Sequence, residues 1–264
     1  MGKNKNITIA GIDIDAWMEA DSESLKVKEI IQKKYEKKIV AFLDLLAMKD
    51  LILNKKRKPG EEREAFETIE RIKGIVEIET KYLDKDHDFN LLQISDSFIF
   101  TCSENDILKL IKLLAIIQIR ILIECKFQLR GAITFGDVYV ADEGKQIIGP
   151  AYINAYLLQE HNAIYPRIIL DQSFLNRLSE LKLVSEGLIL STDTETCIDY
   201  LGLFLNSEGK SKSEIITFLN RENVFSYLES QYAEFNDKNV HAVKQKYGWT
   251  IQYFKSKGVW PNDK

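Results

Sequence analysis

Hydrophobic residues in this chain follow two rhythms: short continuous runs rich in Val, Ile and Phe, and longer stretches with an apolar residue at every third or fourth place. Lys38 to Met48 (KIVAFLDLLAM) is a continuous run whose composition and length predict a strand buried on both faces, broken by one acid, Asp44. Glu61 to Tyr82 follows the helical rhythm, with Phe66, Ile69, Ile72, Ile75 and Ile78 expected on one side. Phe89 to Cys102 (FNLLQISDSFIFTC) predicts a hairpin, two β-rich arms around the polar tip Ser95-Asp96-Ser97. A long buried helix is expected from Asn105, as its cap, to about Lys126. Gln128–Phe135 and Val138–Ala141 predict a second hairpin turning at Gly136-Asp137, with Gly131 and Gly136 serving close packing and the turn.

Gly149-Pro150 opens a further helix, Ala151 to Glu160, with proline at the favoured first-turn position. Strands are expected at Arg167–Leu170, Leu188–Leu190 and Cys197–Leu201, then helices near Glu214–Phe235 and Lys238–Lys257. The first 36 residues are polar and end in QKKYEKK, read as a helix leading into the domain. Three regions follow: a lead-in over 1–36, a main domain over 37–204, and a helical extension over 205–264 packed on that domain. The order strand, helix, hairpin, helix, then further strands suits an α+β, ferredoxin-like (split βαβ) arrangement with a mostly antiparallel sheet. Such a sheet brings the end of the first strand, with Asp44, beside the tip of the first hairpin, with Asp96.

Composition narrows the class without choosing a chemistry. Of 264 residues, 45% are hydrophobic and 29% charged, which excludes a disordered or collagen-like chain. A net charge of −4 offers no global basic excess for stable nucleic-acid binding. Cys102, Cys125 and Cys197 form no CxxC pair and read as small buried hydrophobes. His87, His161 and His241 have no metal-ligand spacing. The start of the chain shows no long apolar stretch, and Ile107–Phe127 is interrupted by Lys109, Lys112, Arg120 and Glu124. No signal peptide and no membrane insertion are expected, and the location expected is the cytoplasm. Trp249, Tyr253 and Phe254 read as a helix face docked on the core, and Arg167, after Tyr165-Pro166, as a surface salt bridge.

An acid inside an apolar strand is costly unless paired or metal-bound. Each aspartate alone has an ordinary reading, Asp44 as a buried hydrogen-bonded acid and Asp96 as a turn-former. Side by side on one sheet they have the form of a carboxylate pair for two Mg²⁺ or Mn²⁺ ions.

The runs AFLDLLAMKD (41–50), QISDSFIF (93–100), LRGAITFGDVYV (129–140) and IIGPAYINAYLLQEHNAIYPRIILD (147–171) resemble, in order and spacing, the motifs of class III nucleotide cyclases. The G-P-A, A-Y-x-L and Y-P-R elements are most similar to the bacterial pyrimidine cyclases of the Pycsar anti-phage systems. The resemblance covers roughly residues 36 to 202. It implies that Asp44, Asp96 and the backbone carbonyl of Leu45 hold the metals. It also implies that amides of the turn through Leu45, Leu46, Ala47 and Met48 face the triphosphate, with Lys49 beside them. Arg130 is the nearest well-placed cation, and Asn154 stands near the position of the family's transition-state Asn.

Several positions depart from the family pattern. Purine-specific members carry a Lys where this chain has Leu92 and an acid where it has Gln146, which fits a pyrimidine nucleotide or, equally, a silent site. Leu158 stands where an Arg would follow Asn154, and Ala47 replaces a Gly of the first motif. The resemblance therefore implies a cyclase acting on UTP or CTP, working as a homodimer with two equivalent sites, whose product activates a separate effector. The alternatives are an adenylate or guanylate cyclase and a silent module that binds a nucleotide or a protein.

Overall fold

The computed structural model describes residues 8–9, 12–13, 34–46, 48, 62–83, 89–141, 144–183, 187–192, 195–206, 211–237 and 241–261. Contacts divide the chain into two units, Met1–Tyr35 and Glu36–Lys264. In the first unit β1 (Thr8–Ile9) pairs antiparallel with β2 (Ile12–Asp13). The expected lead-in helix is not what its described part forms. Lys34 and Tyr35 are irregular, and Glu36–Lys38 already belong to β3, because they pair with Val138, Asp137 and Gly136 on a neighbouring strand. Apart from β1 and β2, the rest of that expectation lies outside the described residues.

The second unit is built on β3 (Glu36–Leu45), α1 (Glu62–Leu83), β4 (Asn90–Ile94), β5 (Ser97–Cys102), α2 (Ile107–Arg120) and β6 (Leu129–Ala141). Strand order β4-β5-β3-β6, antiparallel throughout, is the split βαβ pattern. The sheet continues through β8 (Ile168–Leu170), parallel to β6, then β10 (Thr196–Ile198) and β9 (Ile189–Ser191). Helices α3 (Pro150–Asn162) and α4 (Gln172–Glu180) flank β8, and β7 (Gln146–Ile148) pairs with the end of β6. The fold is α+β with an open sheet.

Alternation along β3 explains its run of apolar residues. Ile39, Ala41, Leu43 and Leu45 enter the main core with Ile72, Ile75 and Val76 of α1 and Leu110 and Leu114 of α2. Val40 and Phe42 point the other way, onto Ala151 and Ala155 of α3 with Ile99 and Val138. The period-two rule therefore turns Asp44 toward the α3 face. Gly131, opposite Leu43, is required by close approach: a Cβ there would lie 2.5 Å from Leu43 Cδ2 and 2.6 Å from Phe42 O. Gly149 caps α3 at φ 151°, where a Cβ would meet Asp137 O at 2.6 Å.

Several elements differ from expectation. Gly136-Asp137 is not a turn: β6 runs straight through it, since β3 begins early enough to pair with both residues. The chain instead reverses after Ala141 to form β7. Asn105 sits inside a short 3₁₀ turn, Glu104–Asp106, and Asp106 is the cap position of α2. After Arg120 the helix widens into a π turn, Ile121–Cys125, closed by Lys126 in the left-handed region at φ 59°. On α1, Phe66 and Ile78 are 68% and 60% exposed, whereas Ile72, Val76 and Thr80 are buried. Strict three-residue spacing drifts off a helix face, and the four-residue row 72, 76, 80 keeps it.

The strand expected at Cys197–Leu201 stops at Ile198, because Asp199 accepts from the Gly202 amide and starts α5 (Tyr200–Leu205). The helix expected at 214–235 is two, α6 (Lys212–Arg221), with a Ser211/Glu214 capping box, and α7 (Val224–Asp237). Asn223, at φ 57°, breaks them apart. Helix α8 (His241–Ser256) buries Tyr253 and Phe254 in the main core, and Trp249 packs against that core. Cys102 and Cys197 are buried and Cys125 half-buried, and the three form no disulfide among the described residues. Among the described residues, no helix is long and apolar enough to cross a membrane.

Candidate active site

Asp44 is the cross-strand neighbour of Ser97 on β5 and of Arg130 on β6. Its side chain is 19% exposed. Arg130 donates from Nε at 3.0 Å and Nη2 at 2.9 Å, both to Asp44 Oδ2, and its Nη1 donates to the Ala163 carbonyl at 3.3 Å. Gln159 Nε2 approaches the same Oδ2 at 3.4 Å. Oδ1 accepts no hydrogen bond from a described residue.

Burial raises the Asp44 carboxyl above its ordinary value, against the Arg130 hydrogen bonds and charge, which pull it down. The negative charge of Asp96 adds to the rise, and the positive charge of Lys246 opposes it. The two aspartates therefore share one electrostatic field. Asp96 sits half-buried at the tip of the β4–β5 hairpin, whose turn has Ser95 at φ 56° and a Gln93 Nε2 to Ser95 carbonyl bond of 3.1 Å. Among the described residues it makes no hydrogen bond or ion pair.

These groups suit a divalent cation of the Mg²⁺ type. Such an ion takes one or two carboxylates and completes its shell with phosphate oxygens and water. Among the described residues Asp44 Oδ1 and the Asp96 carboxylate have no hydrogen-bond partner, and the repulsion between the two acids is what a cation relieves. Among the described residues no group of three or more His, Cys, Asp or Glu side chains could hold a metal ion, so further ligands would be backbone, phosphate or water.

The other expected residues are spread around this centre. Leu45 ends β3 opposite Leu129, with its side chain in the main core. The Leu46 amide donates to the Gln128 carbonyl at 2.9 Å, which removes it from the donors open to a phosphate. Met48 is buried in the main core, and Ala47 and Lys49 lie outside the described residues. Leu92 packs on the Phe42 and Ile99 cluster, on the same side of the sheet as Asp44. Gln146 is exposed on β7. Asn154 is exposed on α3, turned away from the inward row Ala151, Ala155, Gln159, and Leu158 is half-buried. Arg167 is buried beside Glu195, with its guanidinium 5.2 Å from the Tyr165 ring centroid, and is not a surface salt bridge.

Sequence reasoning missed Gln159, Tyr156 and Lys246. Tyr156 meets the Phe42 ring edge-on at 5.4 Å, and its phenol is raised above the ordinary value, first by its hydrogen bond with Glu160 and least by the charge of Asp44. Gln159 was detectable as the polar member of the four-residue row that otherwise holds only alanines. Lys246 lies beyond the motif-bearing part of the chain, and nothing local marks it.

No family model matches the chain, and no curated protein matches it in sequence. Solved structures with a similar fold do exist. The guanylyl cyclase domain of the RhoGC fusion protein from Blastocladiella emersonii is 14% identical, with 62% of this chain and 95% of that one covered, at a TM-score of 0.45. A bacterial light-regulated adenylyl cyclase is 12% identical over 82% of this chain and 72% of that one, at 0.46. A class III adenylyl cyclase-like ATP-binding protein from Pseudomonas aeruginosa is 11% identical over 75% and 53%, also at 0.46.

Proposed function

We propose that this chain is a nucleotide cyclase of the class III type that converts a pyrimidine nucleoside triphosphate, UTP or CTP, into the 3′,5′-cyclic monophosphate and pyrophosphate. The observation that supports the reading is the strand register that pairs Asp44 with Ser97, the residue next to Asp96 at the hairpin tip. In the reaction the 3′-hydroxyl oxygen attacks the α-phosphorus and the bond to the β-phosphate bridging oxygen breaks. Pyrophosphate leaves with that electron pair, and the hydroxyl proton passes to solvent.

Asp44, Asp96 and the Leu45 carbonyl would hold two divalent cations. When bound, these supply the charge that eases ionisation of the hydroxyl and offsets charge at the phosphate. Arg130 and Gln159 hold the Asp44 carboxylate in one orientation through Oδ2, and no described residue donates to Oδ1. Leu92 presents an apolar contact where a purine-reading cation would stand, which supports a pyrimidine substrate. The outward face of α3, with Asn154 beside exposed Ile153 and Leu157, supports a homodimer in which Asn154 serves the partner's site. On this reading residues 1–36 are a lead-in and 205–264 an extension of the catalytic domain. The product is a second messenger for a separate effector, and the resemblance to Pycsar enzymes suggests anti-phage defence.

A second reading, a catalytically silent nucleotide-binding module, is favoured by one observation: Asp44 Oδ2 is already engaged by Arg130. Incubation of the protein with ATP, GTP, CTP or UTP and Mn²⁺, with products resolved by mass, separates the two. A cyclic pyrimidine nucleotide that disappears in Asp44→Ala and Asp96→Ala is the expected result. Cyclic AMP or GMP would keep the mechanism and remove the base assignment. Metal-dependent binding without turnover would establish the silent module.

A further inference from the structure

Helix α1 meets the sheet through Ile72, Ile75 and Val76, all buried in the main core. Beside that apolar row stand two half-buried charges one turn apart, Lys73 and Glu77. Opposite charges at this spacing are placed to pair with each other. Among the described residues, however, neither side chain makes an ion pair or a hydrogen bond. Both line a cavity of about 400 Å³ between α1 and the β4–β5 hairpin, whose other walls are Leu91, Gln93, Ser95 and Phe98. Phe98 is buried and Leu91 packs on the main core, so the floor is apolar. Strand alternation and the Gln93–Phe98 cross-strand pairing put this cavity on the α1 side of the sheet, away from Asp44. Gln93 Nε2 donates to the Ser95 carbonyl at 3.1 Å, and its Oε1 is the remaining acceptor of that amide. Ser95 adds a hydroxyl that can donate or accept.

We infer that this cavity is a binding site for a small zwitterion of the amino-acid type, its carboxylate on Lys73 and its ammonium on Glu77. The Cβ atoms of such a helical pair lie about 5–6 Å apart, so the two heads can close on groups carried by one small molecule. The opposite charges are what select the ligand. A bare anion would meet the Glu77 carboxylate, and a bare cation the Lys73 ammonium. Gln93 Oε1 and the Ser95 hydroxyl replace part of the water that the ligand's charged groups lose on entry. The volume stands at the small end of ligand pockets, which suits an amino acid rather than a nucleotide. Gln93 and Ser95 also shape the turn that carries Asp96, with Ser95 held at φ 56°. An occupant therefore touches the residues that set the hairpin tip, from the side opposite Asp44. The binding does not depend on the cyclase reading; only its bearing on turnover does.

The test is amide NMR and calorimetry on the full chain, titrated with each of the common free amino acids in the absence of metal and nucleotide. At least one should bind saturably and shift the Ser95, Asp96 and Ser97 amides. Lys73→Met and Glu77→Gln should each weaken that binding about tenfold or more, the range of one lost hydrogen bond to a charged group. Lys73→Arg should keep most of the affinity, and Arg71→Met, on the exposed side of α1, should match wild type. Melting temperatures without ligand should stay level across these variants. The corresponding amine and carboxylic acid, each lacking the other charge, should bind more weakly by a similar factor. Failure of every amino acid to bind would overturn the inference and leave the cyclase reading standing, since the product assay decides that separately. Binding that survives both Lys73→Met and Glu77→Gln would also overturn it, as would equal affinity for the amine or the acid alone.

Discussion

Arg130 is the direct cross-strand partner of Asp44, and two of its nitrogens converge on one carboxylate oxygen, Oδ2. The guanidinium thus acts as a resident counter-ion for an acid that the apolar strand β3 would otherwise bury alone. It also orients the carboxylate through Oδ2, and Oδ1 accepts no hydrogen bond from a described residue. The pair is about four-fifths buried on both sides, with 22% of Arg130 and 19% of Asp44 exposed.

Removing only one partner of this pair should therefore be costly. Arg130→Gln is expected to lower stability in metal-free urea unfolding by about 2 kcal/mol, since it strips two charge-assisted hydrogen bonds from a desolvated carboxylate. The double variant Asp44→Asn/Arg130→Gln should recover part of that loss. A double-mutant cycle with no coupling would show that the pair contributes no net interaction.

The Asp44 titration has a sign that can be checked. Its folded carboxyl lies above the ordinary 3.8, so the folded state holds this proton more tightly than the unfolded chain. The stabilising contribution is present below the unfolded value and is lost as pH rises through the folded one. Followed by carboxyl-carbon NMR, the midpoint should rise further in Arg130→Gln, which removes the lowering charge. It should fall in Asp96→Asn, which removes the raising one. Movement in the opposite direction in Asp96→Asn would mean that the two acids do not share a field.

Gly131→Ala should be severely destabilising despite its small size. The added Cβ meets the Phe42 carbonyl at 2.6 Å, a backbone atom locked in the β3–β6 ladder that cannot swing aside. A loss of about 3 kcal/mol in chemical unfolding is expected, at the upper end of overpacking effects. Gly74→Ala, with nothing within 4 Å of the added atom, should be neutral or slightly stabilising on α1.

The outward position of Asn154 makes a complementation experiment decisive for the proposed dimer. Asp44→Ala and Asn154→Ala proteins should each be inactive. An equimolar mixture after subunit exchange should regain about a quarter of wild-type activity, since half the dimers are mixed and each has one intact site. No recovery, with exchange confirmed by native mass spectrometry, would place both residues in one protomer's site or remove Asn154 from it.

Much of this could be read from local pattern. The apolar run at 38–48, the hairpin with Asp96 at its tip and the Gly149-Pro150 helix start each rest on a period or turn chemistry carried by neighbouring residues. The misreadings share a different cause. Gly136-Asp137 has turn composition, but β3 supplies pairing partners through it and the strand continues. Phe66 and Ile78 are apolar, but on α1 the buried row is the one that faces α2 and the sheet.

The candidate site divides along the same line. Sequence alone determined that an acid would lie within a buried strand and another at a hairpin tip, because both are consequences of alternation and turn-forming residues. Only the tertiary structure decided what surrounds them. Arg130 reaches Asp44 through strand register and Gln159 through the docking of α3. Those contacts depend on how elements pack in three dimensions, and no periodicity within a single element encodes which face of another it will meet.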